Sequence, residues 1–196
     1  MKKIVVVIAV LFIITGIAAY KAPEEAVLGN KYKIIYLHLP LAYISFFSIF
    51  LCVLFSTVSL KKDYYAHGFI AAILGLTYGG GMLVFGFLLM KMAWGGISLS
   101  EPRFLGAIFL YSIFAYYLIL HRKNRREWTA TYALIGGMLG ATVYILAKGN
   151  SRQLHPVDVV IPREMIYPLY ISFLAFTLLY YYAFRSLLTW RTNEKH

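Results

Sequence analysis

The sequence predicts an all-α integral membrane protein of six transmembrane helices with both termini cytoplasmic. Three observations carry this. The 196 residues are 61% hydrophobic and 14% charged, against about 45–50% and about 25% in a soluble domain. The mean hydropathy is +0.70. The apolar residues also fall into six runs, each near the length of a bilayer crossing, whose flanks hold nearly every charge. This composition excludes an ordinary soluble enzyme and a disordered chain.

The first run, about Ile4–Ala19, follows Met1-Lys2-Lys3. Its 16 residues lie between a secretory h-region and a comfortable span. It is read as a retained span, because the later runs then alternate in a consistent topology. The second run, about Pro40–Leu60, opens on a proline, which suits a first helical turn where the missing N–H leaves nothing unpaired. The third, about Gly68–Met90, contains Gly75 and Gly79 four apart and the triplet Gly79-Gly80-Gly81. Small residues at this spacing let helix backbones approach in lipid. The triplet is also the one hint of a helix break. The fourth run, about Phe104–Leu120, is followed by the fifth, about Thr129–Ala147, which carries Gly136 and Gly140. The sixth is about Met165–Leu188. Connectors rich in Lys, Arg, Pro, Asn and Gly separate the runs. No linker divides residues 1–196, so a single domain is expected.

The net charge is +11. On a membrane protein this excess is first an orientation signal, and nucleic acid is not expected as a partner. With the N-terminus inside, eleven Lys and Arg lie on the inner side and eight on the outer. The loop His121-Arg122-Lys123-Asn124-Arg125-Arg126, with four positive charges, votes most clearly for inside. Cys52 is the single cysteine and lies within an apolar run. It is read as a small packing residue with no disulfide or zinc partner.

This topology gathers unusual polar groups on the outer face. His38 sits near the start of the second span and His155 in the last outer loop, while Trp94, Glu101 and Arg103 belong to the connector between the third and fourth spans. Two imidazoles suit the axial positions of a haem iron. Basic groups such as Arg103, Lys148 or Arg152 suit its propionates, and aromatic rings suit its macrocycle. The same parts suit a proton relay or a quinone head-group. Trp94 also reads as an interfacial anchor, and Glu101 with Arg103 as a solvated pair. His67 and His121 read as surface residues.

A more specific signal lies in the motifs. The stretch Leu28-Gly29-Asn30-Lys31-Tyr32-Lys33-Ile34-Ile35-Tyr36-Leu37-His38-Leu39-Pro40-Leu41-Ala42 resembles the segment before the second span in the cytochrome c maturation protein C family. From Trp94 to Arg103 the chain aligns without a gap to that family's tryptophan-rich outer motif. Trp94, Gly95 and Arg103 are retained, Glu101 stands in place of Asp, and Ile97, Ser98 and Ser100 stand in place of three tryptophans. Gln153-Leu154-His155 resembles the family's Thr-Leu-His in the last outer loop. The resemblance covers essentially the whole chain.

It implies a haem-handling, multi-pass subunit of the cell membrane, with His38 and His155 as candidate iron ligands. Trp94, Glu101 and Arg103 are implied as remnants of an aromatic platform for non-covalent, transiently held b-type haem. The implied partners are a haem chaperone (protein E), ABC-type subunits A and B and a small protein D, besides the surrounding membrane lipids. Losing three rings implies weaker or differently built binding, since one offset-stacked aromatic pair is worth about 0.5–1.5 kcal/mol beyond burial.

No nucleophile–base pair, P-loop or metal-hydrolase motif stands in the sequence. A positioning role is expected, and no enzymatic one. Two other classes compete. A membrane redox or quinone-binding subunit is expected to place its ligating histidines within the spans, where this chain has none by the reading above. A transporter is expected to show a broken helix or a charge near the midplane. A scaffold without haem is a third.

Overall fold

The computed structural model describes residues 2–24, 29–149 and 163–193. Six α-helices are described: α1 (Lys2–Lys21), α2 (Ile35–Val58), α3 (Tyr65–Trp94), α4 (Pro102–Arg122), α5 (Arg126–Lys148) and α6 (Arg163–Asn193). A 3-10 turn, Asn30–Ile34, leads into α2. The five helices after α1 are long and apolar enough to cross a membrane; the apolar part of α1, Val5–Lys21, is shorter. The chain is therefore an all-helical, multi-pass membrane protein.

The α2–α3 pair is the centre of the bundle, with α4 and α5 on one side and α6 on the other. It packs closely because its facing residues are small. Ser45, Ser48, Cys52 and Ser56 of α2 are buried against Gly68, Ala71, Ala72, Gly75 and Gly79 of α3. Serines can face this way in an apolar interior only if their protons find acceptors. Ser45 Oγ donates to the Gly75 carbonyl at 2.7 Å, and Ser48 Oγ to the Ala71 carbonyl at 2.7 Å. Later helices supply phenols to the same hydroxyls. Tyr111 of α4 is 2.9 Å from Ser45, Tyr180 of α6 is 2.8 Å from Ser48, and Tyr117 of α4 is 2.8 Å from Ser56. Gly136 and Gly140 play the corresponding part where α5 meets Ile113 and Leu110 of α4. The helix α1 lies along α6, with Phe12 edge-on to Phe176 at 4.9 Å.

The hint of a break at Gly79-Gly80-Gly81 comes to nothing: α3 runs on through all three. One expectation about the backbone is corrected. Pro40 does not open α2. It is the sixth residue of a helix that begins at Ile35. A proline inside a helix strands the carbonyl four residues back. That carbonyl is Tyr36 O, and the Ser172 hydroxyl of α6 donates to it. The lost bond is thus replaced from a neighbouring helix, which lets the helix start a turn and a half early and carries His38 inside it.

Candidate functional site

The start of α2, the end of α3, the start of α4 and the end of α5 meet at one end of the bundle. There they line a cavity of about 330 Å³. From α2 come His38, Ala42, Tyr43 and Phe46; from α3, Met82, Gly86 and Met90; from α4, Arg103 and Phe104; from α5, Tyr144 and Lys148. Each set repeats at helical spacing, so a single face of each helix meets the cavity. Phe46 and Tyr144 touch in a tilted ring contact at 4.8 Å on its wall. The rim is open, since Tyr43 is 64% exposed.

His38 is held from behind. Its Nδ1 is 3.1 Å from the Met82 carbonyl. A carbonyl only accepts, so Nδ1 carries a proton; when the ring is neutral, Nε2 is then the nitrogen with the lone pair. Metal-binding histidines are commonly oriented by such a bond from the other ring nitrogen. Gly86, one turn further along α3, leaves room for the imidazole. A Cβ there would stand 3.2 Å from His38 Cε1.

The loop before α4 is a helix stop followed by a helix start. Gly95 ends α3 in the left-handed region at φ 72°, a conformation that favours glycine. Glu101 then caps α4, its carboxylate accepting from the Phe104 N–H at 2.7 Å. Pro102 occupies the first helical turn. Glu101 is only 1% exposed, so it is no member of a solvated pair. By fixing where α4 begins, it places Arg103 and Phe104 on the cavity wall.

Of the residues singled out by sequence, His38 and Arg103 come together at the cavity, joined there by Lys148. Trp94, 38% exposed at the end of α3, and Glu101 stand beside the cavity without lining it. His155 and Arg152 lie outside the described residues. Sequence reasoning missed the aromatic lining, Tyr43, Phe46, Phe104 and Tyr144. The signal was present in the spacing: Ala42 and Phe46 fall one and two turns after His38, Phe104 adjoins Arg103, and Tyr144 stands one turn before Lys148.

At the opposite end, His121 is 3% exposed, not a surface residue. Its ring stacks on Tyr65 at 3.9 Å. Nε2 donates to the Tyr65 carbonyl at 3.2 Å, and the Tyr65 hydroxyl donates back to the His121 carbonyl at 3.1 Å. His67 is half-buried among Phe55, Tyr64 and Phe184, with its Nδ1 buried and without a hydrogen-bond partner among the described residues.

Fold and cavity together define a multi-pass membrane protein that sets one oriented imidazole and two cations over an aromatic cleft at the helix ends. Residues 2–155 match the family model described as cytochrome C assembly protein. The chain belongs to that family, which points to a role in c-type cytochrome maturation as an assembly factor. A comparison with curated proteins finds no match.

Proposed function

We propose that this chain holds haem, as cargo, at the His38 end of the bundle and presents it to a haem chaperone during c-type cytochrome maturation. In this reading six helices cross the cell membrane, both termini are cytoplasmic and the His38 end faces outward. The membrane-anchored chaperone is protein E, and the ABC-type subunits A and B and small protein D are the other partners.

The observation that carries the reading is the posture of His38: Nδ1 donates to the Met82 carbonyl while the ring borders a cavity shared with Arg103 and Lys148. Haem brings an iron with axial positions that accept imidazole nitrogen, two propionates and a flat apolar ring. His38 supplies one ligand through Nε2, and His155 supplies the other. Arg103 and Lys148 pair with the propionates. Phe46, Phe104 and Tyr144 supply the apolar walls in place of the loop tryptophans. A volume of about 330 Å³ is small among ligand sites of about 300–1,000 Å³, so part of the macrocycle stays outside the rim. That suits a ligand meant to leave.

The test is the absorption spectrum of the purified full chain, as isolated and after haem addition, beside His38→Ala and His155→Ala. A bis-histidine spectrum altered in either variant supports the assignment. Full haem occupancy with unchanged spectra in both variants overturns the ligand pair. Intact protein that takes up no haem overturns the function.

A further inference from the structure

The end of the bundle opposite His38 holds a second cavity of about 330 Å³, between the α2–α3 connector and the ends of α4, α5 and α6. Its charges are one-sided. Arg122, Arg126 and Arg191 line it, against one carboxylate, Asp63. Asp63 is taken by Arg126 at 3.1 Å. Arg122 and Arg191 form no ion pair among the described residues.

Two of the three guanidinium groups, those of Arg126 and Arg191, are held against aromatic rings. Arg126 lies over the Tyr65 ring at 5.3 Å and Arg191 over the Phe69 ring at 4.1 Å. Stacking fixes the plane of a guanidinium and leaves its N–H edge for oxygen acceptors. The wall behind them is rigid, because Tyr65 and His121 are stacked and doubly hydrogen-bonded. Asn124 joins the lining from a left-handed backbone, φ 53°.

We propose that this cavity binds a phosphate group, either the head-group of an anionic phospholipid or a free phosphate. Several arginines and Asn124 around a small cavity match a tetrahedral oxyanion, and guanidinium pairs with phosphate in a two-pronged manner. The site lies where apolar spans end, at the depth of lipid head-groups, and basic pockets between helices at that depth are known to take them. The site is separate from the His38 cavity and independent of any haem role.

The test uses the full chain in neutral detergent and follows thermal stability, which a ligand of the folded state raises saturably. Phosphatidylglycerol is titrated against phosphatidylcholine, and inorganic phosphate against chloride at equal ionic strength. A saturable rise with phosphatidylglycerol alone identifies a lipid head-group. A rise with inorganic phosphate as well identifies a site for phosphate from either source, and a rise with inorganic phosphate alone a soluble ligand. Arg122→Gln weakens apparent affinity about fivefold, the share of one basic residue at a charged surface. Lys62→Gln makes the same charge change outside the cavity and leaves affinity unaltered. Asn124→Gly removes the amide but accepts the positive φ without strain, so it folds and still binds more weakly. No saturable rise from either ligand, or equal affinity in Arg122→Gln, Asn124→Gly and Lys62→Gln, overturns the proposal.

Discussion

Ser172 on α6 donates its hydroxyl proton to the Tyr36 carbonyl on α2, the acceptor that Pro40 cannot serve. The bond joins helices far apart in the chain at the level of His38, two residues beyond Tyr36. Ser172→Ala leaves a buried carbonyl without a donor, which costs about 1–3 kcal/mol. In Pro40→Ala the helix makes its own bond, so the same serine change costs much less there. A double-mutant cycle on thermal stability checks this. Equal costs in the two backgrounds would deny the link.

Neighbouring glycines of α3 predict opposite outcomes. A Cβ on Gly79 would lie 2.9 Å from Ser45 Oγ and closer still to the Tyr111 ring, whereas one on Gly80 meets nothing within 4 Å. Gly79→Ala overpacks the α2–α3–α4 junction, at about 1–3 kcal/mol. Gly80→Ala gains helix propensity, up to about 1 kcal/mol. Melting temperatures should therefore move in opposite directions.

Gly86→Ala separates binding from stability. Alanine favours the helix by about 0.8–1.0 kcal/mol over glycine, so the protein melts no lower. The added methyl presses on the His38 ring, 3.2 Å away. Haem titration of this variant should show weaker uptake or a changed spectrum without any loss of stability. Unchanged haem uptake would mean that the ring yields without consequence.

Glu101→Ala removes the cap of α4 and should lower stability by about 0.5–2 kcal/mol. Glu101→Asp keeps a carboxylate at the cap and should retain most of it. If both variants melt like the parent, the bond to the Phe104 N–H contributes little.

The long apolar runs were legible because burial in lipid demands nearly continuous apolar sequence; five of the six runs lie within an observed helix, and the second, Pro40–Leu60, overruns the end of α2 at Val58 by two residues. Two kinds of feature were not. Pro40 reads as a helix start until Ser172, 132 residues later, is known to serve Tyr36 O. His121 reads as exposed because four cations follow it within five residues, yet Tyr65 covers it from a different helix. In both, the deciding partner is remote in sequence. The cavity fell between these cases. Its polar members stood out by residue type, while its aromatic walls were hidden among the many Phe and Tyr of the chain. Only helical spacing from His38, Arg103 and Lys148 separates them.

The serine stripe bears on how the chain leaves the insertion machinery. Ser45 and Ser48 give their protons to carbonyls of the very next helix. Consecutive α2 and α3 therefore form a hairpin that hides these hydroxyls from lipid by itself, before α4 or α6 has been synthesised. Tyr111, Tyr180 and Tyr117 then dock onto serines already in place, so the order of synthesis matches the order in which the polar interior can be closed.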